Sequence, residues 1–430
     1  MQKDVKLVCA GTGEEFADDG LLLENPSLSA PALLRTVYAN KTLRPSDGQP
    51  GIFRFSDWLP ARKILNGGGA PVTYGSRALG GALGLERLYI TFSGYWPERE
   101  AEMRSGTFKE CEAYSVCARL PENIGSLVVA SAGNTARAFM LAAGENGIRL
   151  IVVVPMRNLD SLWQLTEIAP CVSVIAAGGD SDYTDAIRLA GDICTLDGFI
   201  NEGGAKNVAR RDGMGTTVLS AATFIGEIPD YYFQAVGSGT GAIAAHEANL
   251  RLNESGDYQP KHMKLMLSQN LPFAPMAKAW AKRSRAIEQQ DPEEAAWQIG
   301  RIDAKVLSNR QPPYGIKGGL YDSLSEAGGS IDAIDNGSAH EAMALFERLE
   351  GRDICPEAGV ALASLIGRAR RGDIERDAVV MLNITGGGVR SLTASMRLFR
   401  PVPRLVVERE DIGAPGLKER LLASLKEVSA

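Results

Sequence analysis

The stretch Tyr231-Tyr232-Phe233-Gln234-Ala235-Val236-Gly237-Ser238-Gly239-Thr240-Gly241-Ala242-Ile243-Ala244-Ala245 passes from an apolar, aromatic strand through a glycine-rich turn into a helix. Glycines at 237, 239 and 241 keep side chains out of the turn and let backbone N–H groups converge. The helix that follows offers its N-terminus to the same anion. Ser238 and Thr240 can add hydroxyl donors. The segment predicts a phosphate cradle at the carboxyl end of a strand in an α/β fold. Its glycines fit the dinucleotide fingerprint poorly, because no clean strand-end acidic residue follows at about 20 residues.

Two upstream segments give the cradle a context. Thr107-Phe108-Lys109-Glu110 stands at the mouth of an amphipathic stretch, Glu110 to Leu120. A lysine beside Phe108 and an apolar helix is partly desolvated, which favours the neutral amine that a Schiff base needs. Ala130-Ser131-Ala132-Gly133-Asn134-Thr135 follows the strand-like run Leu127-Val128-Val129-Ala130. Lysine, S-A-G-N turn and phosphate cradle, in that order, predict pyridoxal phosphate. Lys109 would bind it covalently, and Gly237, Ser238, Gly239, Thr240 and Gly241 would hold its phosphate. Ser131, Gly133 and Thr135 would receive a substrate carboxylate. A fourth segment, Asn383-Ile384-Thr385-Gly386-Gly387-Gly388, reads as a tight strand-to-helix turn or, with the other loops, as a contact to the pyridine nitrogen through Thr385. A neutral hydroxyl there leaves the nitrogen largely unprotonated. That weaker electron sink suits elimination and replacement better than transamination.

The rest of the chain alternates apolar, β-branched runs with helical stretches. Strands are expected at 88–92, 127–130, 150–154, 172–175, 232–236, 263–267 and 378–382. Helices are expected at 134–144, 183–194, 241–252, 339–349 and 357–371. Continuous apolar strands between helices predict an α/β protein with two doubly wound domains and mostly parallel sheets. We expect an N-terminal extension over 1–70, a domain over 71–212 with the lysine and substrate loop, and a domain over 213–430 with the phosphate loop. The polar segment 288–303 reads as a surface excursion.

Composition excludes several classes. A net charge of −6 recommends neither nucleic acid nor an anionic membrane, and no apolar run reaches the ~20 residues of a membrane span. The start Met1-Gln2-Lys3-Asp4 is no signal peptide, and the six scattered cysteines lack metal-like pairing, so a reduced, cytoplasmic protein without metal is expected. Three isolated histidines make a metal centre or Ser–His–Asp triad a poor fit, which leaves proton transfer to lysine.

Longer strings carry a resemblance. They are Gly51-Ile52-Phe53-Arg54-Phe55 with Asp57-Trp58-Leu59-Pro60, Gly94-Tyr95-Trp96-Pro97-Glu98-Arg99, the run from Glu202 to Thr216, and Gln234 to Gly241. Through them the chain resembles fold-type II pyridoxal-phosphate enzymes (the tryptophan synthase β-like fold) of the threonine synthase branch. Within that branch it is most similar to the cysteate synthase family of methanogenic archaea. The resemblance implies Lys109 as the Schiff-base residue, Asn134 as partner of the ring hydroxyl and Thr385 as partner of the ring nitrogen. It implies conversion of O-phospho-L-serine and sulfite to L-cysteate and phosphate, on a route to coenzyme M, with threonine synthase activity on O-phospho-L-homoserine as the alternative. A non-catalytic regulator that binds a phosphorylated metabolite is the alternative from another class. Two departures stand out: Thr107 replaces the usual serine, and Cys9-Ala10-Gly11-Thr12 lacks the second cysteine of a zinc knuckle. Two substrate anions need cations, for which Arg137, Lys206, Arg210 and Arg211 are candidates, although each reads equally as a surface charge. The partners expected are small molecules and further copies of the chain in a homo-oligomer.

Overall fold

The computed structural model describes residues 4–122, 124–131 and 133–425. Among these, the strands are β1 (Val5–Cys9), β2 (Glu15–Ala17), β3 (Leu34–Tyr38), β4 (Val72–Gly75), β5 (Arg87–Phe92), β6 (Tyr95–Trp96), β7 (Ala101–Glu102) and β8 (Ser126–Ala130). They continue with β9 (Leu150–Pro155), β10 (Val172–Ala177), β11 (Phe199–Asn201), β12 (Tyr231–Ala235), β13 (Lys264–Asn270), β14 (Ser330–Ile334), β15 (Val379–Ile384) and β16 (Leu405–Val407). The helices are α1 (Arg77–Leu83), α2 (Lys109–Arg119), α3 (Asn134–Asn146), α4 (Tyr183–Cys194), α5 (Val208–Ile225), α6 (Thr240–Ser255) and α7 (Pro275–Ala281). Then come α8 (Pro292–Arg301), α9 (Leu320–Ala327), α10 (Asn336–Glu350), α11 (Pro356–Arg371), α12 (Val389–Ser395) and α13 (Leu417–Leu425).

Two large sheets organise the chain. The five-stranded sheet, ordered β11-β8-β9-β10-β16, is parallel throughout. The six-stranded sheet, ordered β14-β13-β12-β15-β5-β4, is parallel except for β4 at its edge. Every residue of β9, β10, β12 and β15 is buried, as strands covered by helices on both faces must be. The expected mostly parallel α/β architecture is present.

A single cut after Asp212 does not separate the two sheets. It falls inside α5, while β4 and β5 belong to the six-stranded sheet and β16 completes the five-stranded one. Pairing with distant strands decides membership here, and local sequence carries no mark of it. The N-terminal 70 residues hold a small antiparallel sheet, β2-β1-β3, fastened to the body through Asp212. That carboxylate accepts from Thr36 Oγ1 and Tyr38 Oη, each at 2.6 Å, and pairs with Arg251. The expected surface excursion contains α8, started by Asp291, whose side chain accepts from the amides of Glu293 and Glu294.

Helices α2 and α5 cross almost backbone to backbone. Gly213 makes this possible, since a Cβ there would sit 2.1 Å from the carbonyl oxygen of Cys111. The crossing fixes the helix that begins with Lys109. Alanine in place of a helical glycine ordinarily gains up to about 1 kcal/mol. At Gly213 the clash reverses the sign, and we expect Gly213→Ala to lose about 1–3 kcal/mol in urea unfolding. A gain would show that the two helices stand further apart.

Candidate active site

Three loops meet at the start of α2. The turn before Lys109 is stitched to the end of β15: Phe108 N donates to Thr385 O at 2.9 Å, and Gly387 N donates to Gly106 O at 3.1 Å. The Phe108 ring lies against the phosphate loop, where a Cβ on Gly241 would come within 3.2 Å of it. Lys109 and the Gly237–Gly241 turn, far apart in sequence, are therefore neighbours. Glu110, wholly buried, accepts from Gly69 N at 3.1 Å and from Ser105 N, so it clamps the lysine turn from below. Burial pushes its carboxyl up to about 7 against the pull of those two amides.

The glycine loop has the form of a cradle. Gly239 takes a positive φ of 79° at the start of α6. A Cβ on Gly237 would fall 2.8 Å from Val306 O, so neither glycine admits another residue without strain. Ser238 Oγ and Thr240 Oγ1 are 2.8 Å apart at its rim. In the S-A-G-N loop Ala132 lies outside the described residues. Ser131 Oγ accepts from Gly133 N at 3.2 Å and Ala136 N at 3.1 Å, capping α3.

The polar side chains separate into those at the lysine and those elsewhere. Lys109 Nζ, with its side chain 21% exposed, donates to Glu112 Oε2 at 3.2 Å. Glu112 Oε1 accepts from Thr135 Oγ1 at 2.7 Å and from Arg210 at 3.0 Å. Arg210 is gripped on its other side by Glu202. Burial alone would lower the Arg210 pKa, but the two carboxylates hold the guanidinium well above its ordinary range. Asn134 Nδ2 donates to Glu357 Oε1 at 3.3 Å. Burial raises the Glu357 carboxyl, opposed by the charges of Arg137 and Lys109 facing it.

Arg137 differs from the other arginines. Its guanidinium donates to Ser105 O at 2.8 Å and Ser161 O at 3.4 Å and lies 4.3 Å from the Trp163 ring centre. Among the described residues no carboxylate forms an ion pair with it, and its Nε is buried with no partner. Burial pushes its pKa down to about 10. Thr107 Oγ1 is a second buried atom without a partner at this turn.

Two expected substrate cations are placed elsewhere. Lys206 pairs with Glu24 on the surface, 42% exposed. Arg211 is fully buried and spent on Glu247 and on the carbonyls of Leu34 and Ala205. Arg211 serves the seam with the N-terminal sheet while its neighbour Arg210 turns to Glu112, because adjacent residues on a helix face different sides. Sequence reading overlooked Glu112, Glu202 and Glu357. Only Glu112 left a signal, three residues after Lys109 on the same helical face.

Comparison with known proteins agrees with this geometry. Residues 84–386 match the family model of pyridoxal-phosphate dependent enzymes. The chain is 46% identical over 415 residues to the cysteate synthase of Methanosarcina mazei, covering 96% of this chain and 99% of that one. It is 44% identical over 429 residues to the cysteate synthase of Methanoculleus marisnigri, covering 99% and 98%. The chain belongs to the cysteate synthase family of pyridoxal-phosphate-dependent enzymes. Maize serine racemase shares the fold, with a TM-score of 0.58, 15% identity, and 76% and 91% of the two chains covered. A pyridoxal 5'-phosphate-dependent aspartate racemase does so at 0.55 and 18%, covering 76% and 93%. Membership makes the protein an enzyme and displaces the non-catalytic regulator. The family's cofactor is pyridoxal phosphate, and the residues present fit it: a glycine cradle that a Cβ would fill, a partly exposed lysine beside it, and the orphan hydroxyl of Thr107.

The two displaced cations separate by stability. Arg211→Ala takes from buried Glu247 its hydrogen-bonded partner, leaving Arg35 at 3.7 Å, and should cost up to about 3–5 kcal/mol in denaturant unfolding. Lys206→Ala removes an exposed pair worth about 0–1 kcal/mol. Equal losses would refute the placement of Arg211.

Proposed function

We propose that the protein forms L-cysteate from O-phospho-L-serine and sulfite and releases phosphate, with Lys109 as the residue joined to the cofactor and the base that moves the α-proton. Family membership supports cysteate synthesis, and one observation supports the anionic partners. Arg137 is a buried guanidinium, beside the lysine turn, that forms no ion pair with a carboxylate among the described residues. A buried cation without a counter-ion is costly, and a substrate anion relieves that cost.

Pyridoxal phosphate, joined to the substrate amine, draws electrons from Cα and so makes the α-proton acidic and the β-phosphate able to leave. The rest of the work falls to the chain. Lys109 Nζ takes the α-proton as general base. The C–O bond to the β-carbon breaks with its electron pair going to phosphate, and the sulfite lone pair forms the C–S bond. The proton on Lys109 then returns to Cα. No electrons enter or leave the site. Arg137 holds the anion beside the β-carbon, first as departing phosphate and then as arriving sulfite.

The remaining assignments follow position. Gly237 to Gly241, with Ser238 and Thr240, hold the cofactor phosphate at the start of α6. Asn134 and Thr385 reach the ring hydroxyl and ring nitrogen from the start of α3 and the end of β15. The substrate carboxylate meets the first-turn amides of α3, since Ser131 already satisfies Ala136 N and the Thr135 hydroxyl hydrogen is spent on Glu112. Arg210 acts on the substrate only through Glu112.

The decisive assay offers O-phospho-L-serine or O-phospho-L-homoserine with sulfite, sulfide or water alone, and identifies the products. Cysteate from phosphoserine and sulfite is expected to form fastest. Faster threonine formation from phosphohomoserine would overturn the reading in favour of threonine synthase. Arg137→Ala removes a charge-assisted contact worth about 1.5–3 kcal/mol, so half-saturation by sulfite should rise about 10- to 100-fold. An unchanged sulfite dependence would leave the anion site unassigned.

A further inference from the structure

Glu112 has no role in the reaction just described, yet it touches the residue on which everything depends. It is fully buried on the first turn of α2, and its two oxygens face different ways. Oε2 receives Lys109 Nζ at 3.2 Å, while Oε1 receives Thr135 Oγ1 at 2.7 Å and Arg210 at 3.0 Å. The charged and titratable groups around it come from four elements. They are Lys109 on its own helix, Arg210 on α5 with Glu202 behind it, Tyr183 on α4, and Glu357 on α11 facing Lys109. Arg210 needs only Glu202 for charge balance, and Glu202 already grips it through two nitrogens. The second carboxylate is thus left for the lysine.

We propose that Glu112 is the dock for the Lys109 ammonium whenever that amine is free of the cofactor, and that Thr135 and Arg210 hold the dock at a fixed place. Glu112 is then a positioning residue that acts through Lys109. A lysine has four rotatable bonds, and after taking the α-proton it must return that proton to the same carbon. An ion pair on the first turn of its own helix keeps the ammonium beside the cradle, and Arg210 keeps the carboxylate from following it. Thr135 ties the dock to the substrate loop, so the lysine and the loop keep one spacing. The proposal rests on the assignment of Lys109 given above.

Cofactor capture by the cofactor-free protein tests it without turnover. An amine attacks an aldehyde only as the neutral base, so Lys109 must first leave its ion pair with Glu112, 3.2 Å away. The rate at which Lys109 forms the borohydride-reducible imine with added pyridoxal phosphate is measured at pH 7 and pH 10, with mass spectrometry to confirm the residue. Glu112→Gln should capture the cofactor about ten-fold faster than the natural protein at pH 7, with the gap closing at pH 10. Glu112→Asp, one methylene short of the amine, should fall between the two and serves if the glutamine variant does not fold. A helix residue of purely structural value would slow capture at both pH values or leave it unchanged, and either result overturns the proposal. An adduct on a different lysine in the natural protein would overturn the Lys109 assignment itself, so the two failures are distinguishable.

Discussion

The hydrogen bond from Phe108 N to Thr385 O joins the helix that starts with Lys109 to the end of the strand that carries Thr385. That join brings the lysine turn onto the six-stranded sheet, although most of the strands around α2 and α3 belong to the other sheet. Once it is made, Phe108 falls against Gly241 and the phosphate loop comes within reach of the lysine. The glycines on each side follow from the same constraint. A Cβ on Gly387 would lie 2.6 Å from Asp353 O, and one on Gly94 would lie 2.4 Å from Gly387 O. Backbone must pass backbone here, and only glycine lets it.

The charges around the join obey one rule with one exception. Buried ions in proteins are paired, because desolvation costs more than an unpaired site can return. Arg119 has Asp18, Arg211 has Glu247, Arg251 has Asp212, and Arg210 has both Glu202 and Glu112. These pairs fasten the N-terminal sheet and α5 to the body. Arg137 breaks the rule beside the lysine turn, where its guanidinium donates to Ser105 O. Glu357 and Glu110 lie within electrostatic reach of Arg137, yet neither forms an ion pair with it, so the exception is a property of the site rather than a shortage of acids.

Much of this was legible in the sequence, and the rest was not for identifiable reasons. The strands at 150–155, 172–177 and 379–384 are continuous apolar runs, and the glycine turn between β12 and α6 has no other economical reading. Those features are local, so local sequence shows them. The assignment of β5 and β16 to their sheets depends on partners hundreds of residues away, with β4 following β5, and composition has no bearing on it. Among the cations, Arg210 and Arg211 are adjacent and chemically identical. One points to Glu112 and the lysine, the other to Glu247 and Leu34, and only the rotation of α5 tells them apart. Glu357 follows Pro356 at a helix start, where an acid is ordinarily read as a partner of the helix dipole.

The buried acids near Arg137 differ in how they meet the cations of the site. Glu357 faces both Arg137 and Lys109 and, as a carboxylate, would compete with any substrate anion for them. Burial raises its pKa, against the pull of the Arg137 and Lys109 charges, and its side chain takes a hydrogen bond from Asn134 without forming an ion pair with the guanidinium. Glu110, pushed up to about 7 by burial, behaves in the same sense beneath the lysine turn. Glu112 is the contrasting case, because two cations, Arg210 and Lys109, both contact it directly. The site thus gives its lysine one directly paired carboxylate, while burial pushes the pKa of Glu110 and Glu357 upward. Arg137 is left without an ion pair among the described residues, which is the ground on which it is proposed as the anion site.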